Sequence, residues 1–363
     1  MADPRAAQRL ADQEAVSTKM IAEDTAWAMD VVASARNATD QLEQGVVPLL
    51  YSHHAVRIIY EARRALVGRF GRTTLAVDVY PDVTERVRNA TKLLNDKRIT
   101  LSDAQSSLDA ELRRHQGYFY SQLRWALLRP LQPDAGLFLW NGALVGSTIT
   151  VARMLGIELG NPHSICGHPI RDVTYSWGQQ LGAFHQETST TSRVPFPVSF
   201  AGANITQTDE HLKRYLKTRF ANELAIELKL ILLWLQCEMN TVETLLPTTS
   251  SGHEFAVFRA SVITTFHCIH GLYVVAQSNR LPAKQARTLD RLLAEPSVAA
   301  ILAEKDVRNR CMHYAISNEK LHFDHSLPMD GIIEAVQPRL SFQAYRSSLL
   351  EATQVTADFL NNW

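Results

Sequence analysis

At 363 residues, 46% of them hydrophobic, the chain is long enough for two domains and apolar enough to fill their cores. Its 37 basic residues balance 37 acidic ones, which excludes a nucleic-acid coat held by net charge; any polyanion must be met by a local patch. The four cysteines, at 166, 237, 268 and 311, lie far apart without a Cys-x-x-Cys pair, which excludes a disulfide scaffold and points to the reducing cytoplasm.

Met1 to Glu23 mixes charges with alanines and has no signal-peptide core, so no export is expected. Helix-forming residues dominate the chain, and apolar positions recur at spacings of three and four, which predicts a mainly α fold. Helices are expected over Asp12–Gln44, His53–Phe70, Tyr80–Asn95, Leu101–Leu128 and Leu137–Leu155, with Ser102 and Gln105 after Thr100 marking a helix start. The last of these is the most apolar stretch. Asn141, Gly142, Gly146 and Arg153 interrupt it, so it reads as a buried helix rather than a membrane span.

From Gly156 to Thr208, glycine, proline, serine and threonine crowd in around one further helical stretch, Ile170–His185. The two prolines of VPFPVSF, within Glu187–Asn204, predict a short extended segment. This divides the chain into an N-terminal helical domain (1–157), an irregular connection (158–207) and a C-terminal region (208–363). Helices are expected in the last over Asp209–Leu245, Glu254–Gln277, Lys284–Leu293, Ser297–Tyr314 and Ser341–Leu360, enough for an antiparallel bundle. Thr208 is placed to cap the first, while Pro282 and Pro296 sit where new helices begin.

Asp306 to Tyr314, DVRNRCMHY, is where residue chemistry points to an activity. Arg308, Asn309 and His313 supply a fixed cation, an orienting amide and a titratable ring, the tools for cleaving a phosphodiester. His313 would exchange protons with a ribose 2′-hydroxyl or the leaving 5′-oxygen, Arg308 would hold the phosphate, and Asn309 would orient His313 or the scissile group. Arg310 and Lys305 are auxiliary phosphate contacts, and Tyr314 either stacks on a base or packs inside. In a regular helix Arg308 is rotated by about 100° from Asn309, so a bend near the helix end or a second copy across a twofold axis is needed to make the three converge.

The run resembles the signature of the HEPN superfamily, Arg-x(4 to 6)-His with a polar residue after the arginine, here Arg308, Asn309, Arg310, Cys311, Met312 and His313. The resemblance covers residues 208–363. It implies an antiparallel helical bundle, homodimerisation that pairs two motifs, and metal-independent RNA cleavage of the kind found in toxins and antiviral effectors, with no metal or cofactor. It also implies an alternative, since the superfamily includes members without nuclease activity: a non-catalytic binding or scaffold protein in a regulatory complex. RNA, a second copy and a regulatory protein are the expected partners. Against the catalytic reading stands a plain one, in which Glu304 pairs with Arg308, Asp306 with Arg310, and His313 caps a solvated helix.

Other groups carry less. His163, Cys166, His168 and His185 are conceivable zinc ligands, but a structural turn fits NPHSICGHP better. His267, Cys268 and His270 lie on an apolar helix and read as packing; His53 and His54 read as helix-capping. Arg57, Arg63, Arg64, Arg69 and Arg72 form the densest basic run, suited to RNA, a nucleotide or an interdomain contact. The segment His322 to Pro338 follows the motif and reads as a rim or lid.

Overall fold

Two helices that are apolar nearly all round organise the molecule: α8 (Ile226–Asn240) and α9 (Glu254–Gln277). A helix buried on every side has to sit at the centre of its bundle. The computed structural model describes residues 4–71, 80–90, 94, 100–121, 132–155, 168–189, 198, 200, 204–278, 280–316 and 321–363. Among these the chain is mainly α. The N-terminal helices are α1 (Pro4–Arg36), α2 (Gln41–Arg63), α3 (Pro81–Ala90), α4 (Leu101–Ser121), α5 (Thr148–Leu155) and α6 (His168–Thr188). The C-terminal ones add α7 (Leu212–Arg219), α10 (Ala283–Leu293), α11 (Pro296–Ala303), α12 (Lys305–Met312), α13 (Ile332–Val336) and α14 (Phe342–Asn361).

Several expected helices are broken, each for a local reason. The predicted Asp12–Gln44 helix ends at Arg36, and α2 restarts behind Asp40, whose carboxylate accepts the Leu42 amide at 2.6 Å. His53 and His54 therefore lie inside α2, buried, and cap nothing. Ser297–Tyr314 is split at Glu304 (φ −89°, ψ 50°) into α11 and α12.

The expected buried helix Leu137–Leu155 is instead a hairpin followed by α5. Strand β1 (Ala135–Trp140) turns through Asn141 (φ 50°) and Gly142 (φ 84°) into β2 (Ala143–Ser147). Asn-Gly is the pair that adopts positive φ at both turn positions most readily, so the turn selects the hairpin over the helix. Gly146 is required by packing as well, because a Cβ there would lie 2.6 Å from Leu50 Cδ2 of α2. A third strand, β3 (Ile205–Glu210), pairs antiparallel with β1, Leu137 opposite Thr208 and Trp140 opposite Ile205, giving the order β2-β1-β3. Thr208 thus belongs to a strand and caps no helix; Asp134, just before β1, accepts the Leu212 amide at 2.7 Å and holds the start of α7. The VPFPVSF expectation lies almost wholly outside the described residues.

The domain division at 157 and 208 is not mirrored in the packing. β1 and β3 join one side of that boundary to the other, α1 packs on α9, and buried apolar residues from both halves form a single core. The reason is that α1 and α2 have too little apolar partner surface of their own and bury Trp27, Val31, Ile58 and Ile59 in the shared interior. Helix α9 is long and apolar enough to cross a bilayer, and 83% of its most apolar window is buried against these neighbours.

Candidate active site

The motif sits on α12 and the residue that ends it. The His313 amide still bonds to the Asn309 carbonyl at 3.0 Å, but the His313 backbone is extended (φ −111°, ψ 116°), so its ring leaves the helical spiral. The chain bends here at the helix end, but the bend carries His313 toward α2 while Arg308 packs on α9, so no contact joins the two side chains among the described residues. The ring reaches back to the N-terminal half: His313 Nδ1 lies 2.8 Å from Glu61 Oε2 on α2. Glu61 is fully buried, and its other oxygen accepts Arg88 Nη2 at 2.7 Å. Burial alone would raise the Glu61 pKa, but the bond to His313 and the charge of Arg88 outweigh it and hold the carboxyl below its ordinary value. Arg88, in turn, lies 3.7 Å over the Tyr60 ring.

His313 keeps 30% of its side chain exposed. With Nδ1 committed to a carboxylate, Nε2 is the nitrogen left for proton exchange, and it has no partner among the described residues. The ring is therefore oriented and accessible at once. It is tied to the N-terminal helices, because α2 supplies its acceptor.

Arg308 is treated differently by the fold. Its guanidinium packs 4.9 Å over the Phe266 ring of α9 and donates to Asn309 Oδ1 at 2.8 Å and, weakly, toward Met312 Sδ at 3.7 Å. Among the described residues it has no carboxylate partner; Glu304, the expected one, accepts Gln337 Nε2 at 2.7 Å instead. Burial brings the Arg308 pKa down to about 10, which leaves it cationic at neutral pH. A held guanidinium with no carboxylate on it among the described residues is able to receive an anion. Asn309 orients Arg308 rather than His313. Lys305 is exposed, and Arg310 is half-buried beside Asp306, whose charge partly offsets the effect of its burial.

Of the two readings, the structure has the packed one for Tyr314. It is fully buried, its hydroxyl donates to the Asp24 carboxylate and accepts Arg57 Nη1 at 3.3 Å, and its carbonyl accepts Ser17 Oγ at 2.5 Å. A base cannot reach it. Asp24, also fully buried, gathers Arg57 at 3.0 Å and Arg259 at 2.5 Å. Burial would raise its pKa, yet the two guanidiniums overcome this and lower it. The same network pushes the Tyr314 phenol well above its ordinary value, through burial first and the Asp24 charge in addition. Tyr314 thus anchors the segment leaving the motif to α1 and α2.

The other candidates resolve into structure. In the basic run, Arg57 belongs to the Asp24 network, Arg63 donates to Gln180 at 2.9 Å, and Arg64 is exposed; the Arg69 side chain and Arg72 lie outside the described residues. His163 and Cys166 lie outside them too, as does the side chain of His168, and His185 Nδ1 sits 3.2 Å from Thr25 Oγ1. No group of three His, Cys, Asp or Glu side chains among the described residues has metal-binding geometry. Cys268 is buried in the core, and His270 stacks on Phe266 at 6.0 Å. A cavity of about 50 Å³, room for a few waters, is lined in part by Arg88, His53, His54, Glu238 and Met312. Burial, with His53 and Arg57 nearby, pushes the His54 imidazole well below its ordinary pKa. The expected lid carries a short 3-10 turn, Pro328–Gly331, and α13, with Asp330 bound by Lys19 of α1 at 3.1 Å and by His325 at 3.0 Å.

Glu61 and Arg88 are the site residues that sequence reasoning missed. Arg88 and Asn89 form an Arg-Asn pair like that of the motif, but nothing local marks Glu61, whose partner lies 252 residues away. Compared with protein-family models, curated proteins and solved structures, the chain matches none of them.

Proposed function

We propose that the chain is a metal-independent endoribonuclease of HEPN type in which His313 moves the proton, Arg308 holds the phosphate, and Asn309 and Glu61 position them. The observation that carries this reading is the Glu61–His313 pair: a buried, ionised carboxylate fixes one ring nitrogen at 2.8 Å and leaves the other free on a partly exposed ring. In the reaction, His313 Nε2 takes the proton of the 2′-hydroxyl, the 2′-oxygen bonds to phosphorus, and the bond from phosphorus to the 5′-oxygen breaks. The 5′-oxygen leaves with a proton returned by an imidazolium, giving a 2′,3′-cyclic phosphate and a 5′-hydroxyl. Arg308 neutralises charge on the non-bridging oxygens as it builds up. Pairing of two motifs in a homodimer would supply one histidine for each proton transfer. A role in defence or as a toxin, and control by a regulatory protein, belong to the same proposal and rest on the resemblance.

One observation favours the second reading, a non-catalytic scaffold: the contact that orients His313 also ties α12 to α2 across the core. Labelled single-stranded RNA incubated with the full-length protein in EDTA separates the two. Wild type should cleave, and His313→Ala and Arg308→Ala should each lose about 10²- to 10⁴-fold of the rate. Equal cleavage by all three proteins removes the site; folded, RNA-inert protein at every concentration favours the scaffold.

A further inference from the structure

A local excess of positive charge lies outside the motif helix, on α7. Its sequence, LKRYLKTR, places Lys213, Arg214 and Lys217 on exposed positions, and with His211 they line a shallow hollow of about 400 Å³. Lys213 and Lys217 are one turn apart, about 5–6 Å between Cβ atoms, a spacing that lets two ammonium groups engage successive phosphates. None of the four forms a hydrogen bond or ion pair through its side chain among the described residues. Glu210 and Glu223, near them in the chain, form no ion pair with them among the described residues.

A second observation comes from the neighbouring helix. Lys229 of α8 buries its stem, with 2% of the residue exposed, and its charge lies close to that of Lys217. Burial, and then the adjacent charge of Lys217, push its pKa down, opposed only by Glu223. Its ammonium is not sealed in the core and adds to the positive charge of the cluster. In a chain of zero net charge this cluster is a local feature, not a sample of a basic surface.

We infer that the hollow formed by His211, Lys213, Arg214 and Lys217, with Lys229 behind it, is a phosphodiester-binding cradle that holds the backbone of single-stranded RNA away from the cleaved bond. The choice of RNA as the polyanion rests on the function proposed above; the anion site itself does not. Charges of this kind grip the backbone without reading bases, so they raise affinity for long strands and leave sequence preference to other contacts.

The test measures binding, not cleavage. Full-length His313→Ala protein is titrated with a fluorescein-labelled single-stranded oligoribonucleotide across a range of salt, alone and combined with Lys213→Glu/Arg214→Glu/Lys217→Glu. A second set, Lys213→Gln/Arg214→Gln/Lys217→Gln, removes charge without reversing it and guards against misfolding. Both sets should weaken binding at low salt by about tenfold or more. The slope of log affinity on log salt should shrink by about 0.7 for each lost phosphate contact, hence by about 2. Unchanged affinity and slope in the glutamine set overturn the cradle, as does binding of phosphatidylserine vesicles, but not RNA, through these residues. If wild type fails to cleave while the charge variants still lose RNA, the nuclease reading falls and the cradle stands. If wild type cleaves and the variants bind as before, only the cradle falls.

Discussion

The imidazole of His313 and the carboxylate of Glu61 meet at 2.8 Å although 252 residues separate them. A helix from the first sixty-odd residues therefore completes a site whose recognisable motif lies at the other end of the chain. Under the proposed mechanism, Glu61→Gln keeps the shape and loses the charge that stabilises the imidazolium and selects its tautomer. Cleavage should fall at least about tenfold, toward the roughly 10⁴-fold lost when the carboxylate of a comparable His–carboxylate pair is amidated. Single-turnover kinetics on folded protein are the readout, and a wild-type rate would reduce Glu61 to a structural strut.

Acid stability follows from Asp24 and Glu61. Both carboxyls have folded pKa values below their unfolded ones of about 3.9 and 4.3, so each contributes stability that is complete above those values and is lost as pH falls through the lower folded value. Urea unfolding should give a plateau above about pH 7, a gentle decline from about pH 6.5, where His54 and His115 take up protons only on unfolding, and a steep decline below about pH 5, where the two carboxyls add to it. Asp24→Asn should lower the plateau by about 3–5 kcal/mol, because two buried guanidiniums lose their counter-charge, and should flatten the acid limb. A variant profile running parallel to wild type would mean that Asp24 does not carry the dependence.

Tyr314→Phe separates packing from base stacking. The phenyl ring keeps the buried volume but removes a hydrogen bond to an ionised carboxylate, so stability should drop by about 1.5–3 kcal/mol. Turnover and KM for RNA, measured on the folded fraction, should stay at wild-type values, since the ring is sealed from solvent. A raised KM without loss of stability would return Tyr314 to the substrate.

Oligomeric state bears on how two protons are handled. Light scattering on the full-length protein at tens of micromolar should give a dimer. The whole chain is needed because α1 and α2 share the core of the C-terminal helices, so a fragment from 208 onward would expose that core. A monomer that nevertheless cleaves RNA would require His313 to serve both proton transfers in turn.

What the sequence determined by itself was local. Periodicity located α9 at Glu254–Gln277 and, to within a residue or two, α10 and α14, because a buried helical stripe is written in consecutive residues. Pro296 marked where α11 starts, and the residue types of the motif named a chemistry. The Asn141-Gly142 pair also carried its message locally, though the apolar run around it read as helix; the turn residues were the better guide. What only the tertiary structure decided was pairing across distance. The packing of α1 and α2 on the later helices brings Glu61 to His313 and Asp24 to Arg259 and Tyr314, and Arg308 is left against Phe266 with no carboxylate partner among the described residues. Burial and partner together set the charge state of a side chain, and neither is a property of its neighbours in sequence. For that reason the one domain boundary drawn from composition runs through a molecule that buries both halves in a single core.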